Sequence, residues 1–319
     1  MPGTGPASNQ SQRLALPSKG DVLCCGFLTH CMLVVVEDFP VQNGGAAIEN
    51  LVDTVGDDAA IVARTLSGWN VRSTLVSNPV GDDHYGSKVL ERLKNSGLDV
   101  GQIVSQGAST PLEIGIVARA GSRTYFQQRE PEVLESLPVP SDDQLSDARM
   151  LYVDWYDGPN ILGAMERAQA HGVPVFLNLE SRYFDAPDLA DLLRFTTACQ
   201  VSLDEPDASG DPIAVVQDLT DAGISVVLVT MGARGCLVAQ GDQRLQVRPL
   251  EVNVVDAYGA GAAFSAGMIY GFQAGWPLER GARFAAAYAG ISCETAGHAD
   301  VTTGDIEKVA EGLALERLV

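Results

Sequence analysis

Short β-branched runs alternate with helix-length amphipathic stretches along most of the chain. Residues 22–25 and 32–36 read as strands, 58–68 as a helix, 71–76 as a strand and 86–97 as a helix. Two alternating runs, 112–118 and 123–127, flank Gly121-Ser122 and predict a hairpin. Beyond Pro138 and Pro140 the rhythm becomes regular. Strands at 150–153, 173–177, 199–203 and 226–230 are separated by helices at 161–171, 187–196 and 213–222. A further strand pair follows at 236–239 and 244–248, and 259–319 reads as nearly all helix.

This alternation predicts an α/β fold: a doubly wound, mostly parallel sheet flanked by helices. Ligands in such sheets bind outside the carboxyl ends of the strands. The early hairpin breaks the rhythm and is expected to form a small β lid, drawn from about 30–42 and 110–130. Residues 1–20 are polar and small and read as a flexible tail, leaving 21–319 as one α/β domain.

Composition narrows the functions. With 46% hydrophobic residues in 319, the chain can build a large core. Forty-one acidic residues against 21 basic ones give a net charge of −20, and no basic cluster stands out. Nucleic acid and anionic membrane surfaces are therefore not expected as partners. No apolar run approaches the roughly 20 residues of a membrane span, and the N-terminus lacks the hydrophobic stretch of a secretory signal. The six cysteines lack zinc spacing and read as buried free thiols in a reducing cytoplasm. The four histidines are scattered, with no metal trio or triad.

The most informative segment is 252–275. A strand ends at Val255, and Gly259-Ala260-Gly261 opens a helix of small residues. Such a turn presents free backbone N–H groups at the positive end of a helix dipole, which makes a phosphate cradle. A helix packed tightly on a sheet through its small residues is the alternative. A Walker loop is excluded because no lysine follows. A dinucleotide fingerprint fails because Phe264 stands at its third glycine and helix follows where a strand is needed.

The run Asp256-Ala257-Tyr258-Gly259-Ala260-Gly261-Ala262 resembles the Asp-Thr-x-Gly-Ala-Gly-Asp signature of the ribokinase, or PfkB, family of carbohydrate and nucleoside kinases. Thr230-Met231-Gly232-Ala233-Arg234-Gly235 is similar to the family's Thr-x-Gly-x-x-Gly turn, and Val80-Gly81-Asp82-Asp83 with Gly86 to its Val-Gly-x-Asp-x-x-Gly segment. Residues 178–182 resemble the Asp-x-Asn-x-Arg strand end. The matches run in the family's order from about Val22 to Val309. The resemblance implies ATP and Mg²⁺, with Gly259, Ala260 and Gly261 as the anion hole and Thr230, Gly232, Gly235 and Asp256 on the nucleotide side. Asp204 and Asp207 stand where the family's Asn-x-x-Glu holds magnesium and phosphate, and would act through water.

The departures concern chemistry. The family's catalytic base, the last Asp of the signature, is Ala262 here. Its substrate-side positions correspond to Cys31, Gly56-Asp57, Ile61 and Arg182, of which Gly56 and Arg182 are kept. Asn178 and Glu180 replace the Asp and Asn of the strand end. Asp154 and Asp157 follow another strand's end, where they either add carboxylates to the pocket or cap the next helix. Two functions stay open. One is an ATP-dependent kinase acting on a hydroxyl of a sugar-like or, given Ile61 and Cys31, a less polar alcohol. The other is an impaired relative that senses a nucleotide or metabolite. Lid strands with free edges also favour pairing into a homodimer.

Overall fold

The computed structural model describes residues 20–101, 103, 109–118, 123–154, 160–186, 188–204 and 210–318. The N-terminal tail, the Gly121-Ser122 turn, Asp157 and Asp207 lie outside them. The first part of the chain runs β1 (Asp21–Cys25), β2 (Thr29–Val36), β3 (Ile48–Gly56), α1 (Asp58–Gly68), β4 (Ser73–Val76), α2 (His84–Asn95), β5 (Leu112–Ala118) and β6 (Arg123–Gln127). Two short helices, α3 (Pro131–Glu135) and α4 (Asp142–Ser146), lead into β7 (Ala148–Asp154), α5 (Ile161–Ala170), β8 (Val175–Asn178) and α6 (Leu189–Arg194). Then come β9 (Ala198–Ser202), α7 (Pro212–Asp221), β10 (Val226–Thr230), β11 (Cys236–Gln240) and β12 (Gln243–Val247). The chain closes with α8 (Ala260–Gln273), α9 (Leu278–Ser292), α10 (Thr303–Glu311) and β13 (Leu315–Arg317).

Nine strands form the main sheet in the order β13-β12-β11-β10-β9-β8-β7-β1-β4. From β4 to β10 the neighbours are parallel, and β11 to β13 add an antiparallel edge. The parallel strands are apolar runs because helices cover both faces; Val226 to Val229 of β10 are all buried. Two hydrophobic clusters, one on each side, complete the three layers. The expected doubly wound sheet is therefore present, and the terminal strand β13 is an addition to the expected helical end.

A second sheet, β3-β2-β5-β6, stands apart as a lid. Its β3 is not marked by the sequence pattern, since its outer half is exposed and carries Glu49 and Asn50, with the half-buried Asp53 further in. That strand runs directly through Gly56 into α1, so lid and body are joined at the first turn of a body helix.

The small residues of α8 serve close packing in its middle. A Cβ on Gly267 would lie 2.6 Å from the Ala285 Cα of α9, closer than side chains tolerate. The N-terminal end of α8 is different: it opens at the carboxyl ends of the parallel strands. The two readings of the 252–275 segment thus apply to different parts of one helix.

Candidate active site

A cleft of about 1060 Å³ lies between the lid and the strand ends. One half is built mainly from backbone. Gly259 caps α8 at φ 71°, in the left-handed region that favours glycine. A Cβ there would also come within 2.9 Å of Ile61 Cδ1. The helical ladder starts with the Ala263 N–H donating to the Gly259 carbonyl at 2.8 Å, so the N–H groups of Gly261 and Ala262 precede it. Gln200, a buried amide in the apolar strand β9, fixes the turn: its Nε2 donates to the Gly261 carbonyl at 3.0 Å. Its Oε1 accepts from Ser265 Oγ at 2.7 Å.

Thr230 ends β10 and shares a 3.2 Å hydrogen bond with Ser202 Oγ. Gly232 and Gly235 follow at φ 53° and 84°. A Cβ on Gly235 would meet the Val247 carbonyl at 2.1 Å, so only glycine lets that turn lie against β12. Thr230, Gly232, Gly235 and the Gly259–Gly261 turn all line the cleft. Asp256 does not: it is 1% exposed and accepts from the backbone of Tyr258 (2.8 Å) and Gly297 (3.1 Å). Its carboxylate shapes the loop before Gly259 from behind.

Asp204 reaches the cleft at the end of β9. It accepts from Ser202 Oγ at 2.6 Å and pairs with lid residue Arg123 at 3.3 Å, bridging body and lid. Among the described residues no group of three or more His, Cys, Asp or Glu is placed to hold a metal. The donors present fit a hydrated Mg²⁺ only as a single carboxylate, and only when Asp204 parts from Arg123.

The other half of the cleft is built from side chains. Asp57 caps α1 at φ 69°, ψ 147°, a strained backbone position for any residue with a Cβ. Its Oδ1 pairs with Arg129 Nη2 at 2.5 Å, and its N–H donates to the Tyr258 hydroxyl at 3.1 Å. Asp58 accepts from Asn178 Nδ2 at 2.7 Å, and the same Nδ2 lies 3.2 Å from the Tyr152 hydroxyl. Glu113, 1% exposed, accepts from Gln127 and from the Cys31 thiol. Glu180 stands at φ 50° and faces the cleft. Asp154 is 3% exposed and accepts the Ala59 N–H at 2.8 Å, which ties β7 to the start of α1.

Crowding of carboxylates in a desolvated wall favours their neutral forms. Burial pushes Asp57 up to about 7 against the pull of Arg129, and Asp58 up to about 6 against its bond from Asn178. Glu180 is pushed up to about 8, first by burial and then by the charge of Asp58. Burial, then Asp57 and Asp58, hold Asp154 well above the usual carboxylate range.

Several residues singled out from the sequence stand away from this cleft. Ala262 is fully buried in the core. Cys31 is buried under the lid, against Glu113. Ile61 packs behind Gly259 and lines a small hollow with Arg64 and Tyr288. Arg182 pairs with Asp185 at 3.0 Å. Gly56 is a packing glycine, where a Cβ would fall 2.1 Å from Thr29 Oγ1. Of the substrate-side positions only Asp57 lines the cleft. The argument for a less polar acceptor from Ile61 and Cys31 therefore loses its basis.

Sequence reasoning missed Asp58, Glu113, Gln127, Arg129 and Tyr258. One of them carries a readable signal: in β5 the buried positions alternate, and Glu113 is a carboxylate in that inward register. The Val80-Gly81-Asp82-Asp83 segment is a structural latch. Asp83 caps α2 through the Gly86 N–H and accepts both the N–H and the hydroxyl of Thr110, each at 2.8 Å.

Comparison with known proteins gives one consistent result. The chain is 26% identical over 289 residues to a nucleoside kinase of Methanothermobacter thermautotrophicus, covering 87% of this chain and 90% of that protein. It is 24% identical over 292 residues to 5-dehydro-2-deoxygluconokinase of Geobacillus thermodenitrificans, covering 82% and 86%. The fold matches Arabidopsis thaliana ribokinase, solved with ribose and ATP, at a TM-score of 0.74 and 19% identity over 92% of this chain and 99% of that one. The family model for pfkB carbohydrate kinases matches residues 26–303, and with the ribokinase architecture in place the chain belongs to that family.

Proposed function

We propose that the protein transfers the γ-phosphoryl group of ATP to a hydroxyl of a sugar- or nucleoside-like polyol. The observation that carries this reading is the meeting of two unlike walls in one cleft. An open helix N-terminus with a left-handed glycine turn supplies donors for a phosphate. In the same cleft, Asp57, Asp58, Gln127 and Asn178 supply the donors and acceptors that a polyol needs. Phosphoryl transfer depends mostly on positioning and electrostatics, which is what such walls provide. Asp204 is the residue that would hold a hydrated Mg²⁺ beside the phosphates, releasing Arg123 to do so.

A second reading has its own support, the absence of a carboxylate at Ala262. In it the protein binds nucleotide or metabolite without turnover. Titration with ATP and Mg²⁺, followed by assay over a panel of sugars and nucleosides beside Ala262→Asp, separates the two. Turnover by the unmodified protein supports the kinase. Nucleotide binding with no turnover, and activity gained in the variant, supports the sensor. Absence of nucleotide binding defeats the kinase and confines the second reading to a metabolite.

A further inference from the structure

Taking the kinase reading as its basis, we propose that Asp58 is the general base of this protein, standing in for the carboxylate that the chain lacks at Ala262. Two independent routes bring it to the cradle. Along α1, Asp58 lies three residues before Ile61, hence on the same helix face, and Ile61 Cδ1 reaches to within 2.9 Å of a Cβ built on Gly259. Through the sheet, Asp58 Oδ2 is held by Asn178, Asn178 touches the Tyr152 hydroxyl, and Tyr152 meets Ser265 on the first turns of α8. Ser265 in turn shares Gln200 with the Gly261 carbonyl. Asp58 thus lines the same cleft as the amide turn that would receive the phosphates. Asn178 occupies one oxygen, and Oδ1 makes no hydrogen bond among the described residues.

The neighbouring carboxylates are less suited. Asp57 gives Oδ1 to Arg129, and its Oδ2 is buried without a hydrogen-bond partner, so neither oxygen is free to meet an acceptor hydroxyl. Glu113 is committed to Gln127 and Cys31, and Asp154 is sealed against the backbone of Ala59. Glu180 is the rival, since it faces the cleft, but Asp58 is the one carried on the helix whose Ile61 reaches the Gly259 turn. In the step, Asp58 Oδ1 takes the proton of the acceptor hydroxyl as that oxygen bonds to the γ-phosphorus. The bond from phosphorus to the β–γ bridging oxygen breaks, its electron pair leaves with ADP, and Asp58 later returns the proton to water.

The test uses the full chain and Asp58→Asn, Asp58→Ser and Glu180→Gln. Calorimetry measures ATP affinity, and steady-state kinetics use the acceptor found in the panel. With Asp58→Asn, kcat is expected to fall by about 10²–10⁴-fold, while the ATP Kd stays within about threefold. The acidic limb of the pH–rate profile, centred near 6 in the unmodified protein, should vanish in whatever activity remains. The groups facing Asp58 that shape this limb are Asp57 on α1, Glu113, Arg123 and Arg129 of the lid, Tyr152 and Asp154 of β7, and Glu180. Asp58→Ser serves if the Asn variant does not fold. An unchanged kcat in either variant overturns the proposal, as does loss of the limb in Glu180→Gln alone. An unmodified protein that turns nothing over, with or without ATP bound, defeats the kinase reading itself and the Asp58 proposal with it, whereas turnover that survives in the Asp58 variants defeats the proposal alone.

Discussion

The two halves of the cleft are made from different materials. The half proposed for the nucleotide is backbone: left-handed glycines at 232, 235 and 259, and amides at the start of α8. The acceptor half is side chains, delivered by α1, β5, β6, β8 and the segment after β6. Backbone sites depend on the chain's conformation, so they tolerate drift in the side chains around them. Side-chain sites change with every substitution that enters them. At the start of α1 the side-chain half carries a buried ion pair, Asp57 with Arg129.

The sharpest way to break this contrast is to damage the backbone half alone. Gly259→Val would place a β-branched side chain at φ 71° and drive it into Ile61. ATP affinity should drop by more than about 100-fold, because the amides lose their common aim. Calorimetric titration checks this. An affinity within about tenfold of the unmodified protein would mean that the phosphates are held elsewhere.

On the acceptor half the corresponding damage is to stability as well as binding. Arg129→Met leaves Asp57, whose side chain is 7% exposed, without its cation. Removing one partner of a buried pair costs about 3–5 kcal/mol. Here the guanidinium is a quarter exposed and Asp57 can take up a proton, so about 2 kcal/mol is the expected loss at neutral pH. Denaturant unfolding should show the loss shrinking as pH falls through about 7 and Asp57 takes up its proton.

The same division decides how much could be read from the chain. The alternation of 22–25, 150–153 and 226–230 with helices reveals the sheet because apolar runs are local patterns. Gly259 marks the turn at the head of α8 because its left-handed backbone favours a residue without a Cβ. The acceptor wall has no local signature. Arg129 and Asp57 are 72 positions apart, and Asn178 and Asp58 are 120 apart. Ile61 and Cys31 misled for a related reason: family position identified them, but nothing in the sequence tells which way a side chain leans once its neighbours have changed.

A pH series tests the acceptor wall as a whole. Asp57, Asp58 and Glu180 bind protons more tightly in the folded protein than in the unfolded chain. Their contribution to stability is therefore complete below about pH 4. It is lost as pH rises through about 6 to 8, the range to which the three are pushed up. The carboxyls shifted the other way, such as Asp53 and Asp83, act below the ordinary carboxylate range and so outside this window. Tm should decline between pH 5 and 8, and Asp58→Asn should flatten that decline. A Tm that climbs over the same interval would show that the wall is more hydrated than its packing implies.

The smallest effect concerns the seam between the halves. Arg123 of the lid meets Asp204 of the body at 3.3 Å, with side chains 31% and 24% exposed. Half-exposed pairs of this kind contribute about 0.2–1 kcal/mol, so Arg123→Ala should shift Tm by no more than a few degrees. Its larger consequence is electrostatic. Without the guanidinium, Asp204 is available to a hydrated cation at no cost in a broken bridge, and the Mg²⁺ concentration for half-maximal ATP binding should fall severalfold. Differential scanning fluorimetry and an Mg²⁺ titration at fixed ATP read the two outcomes separately. A large Tm loss with no change in the Mg²⁺ requirement would make the bridge a structural tie, and would leave Asp204 out of the nucleotide half.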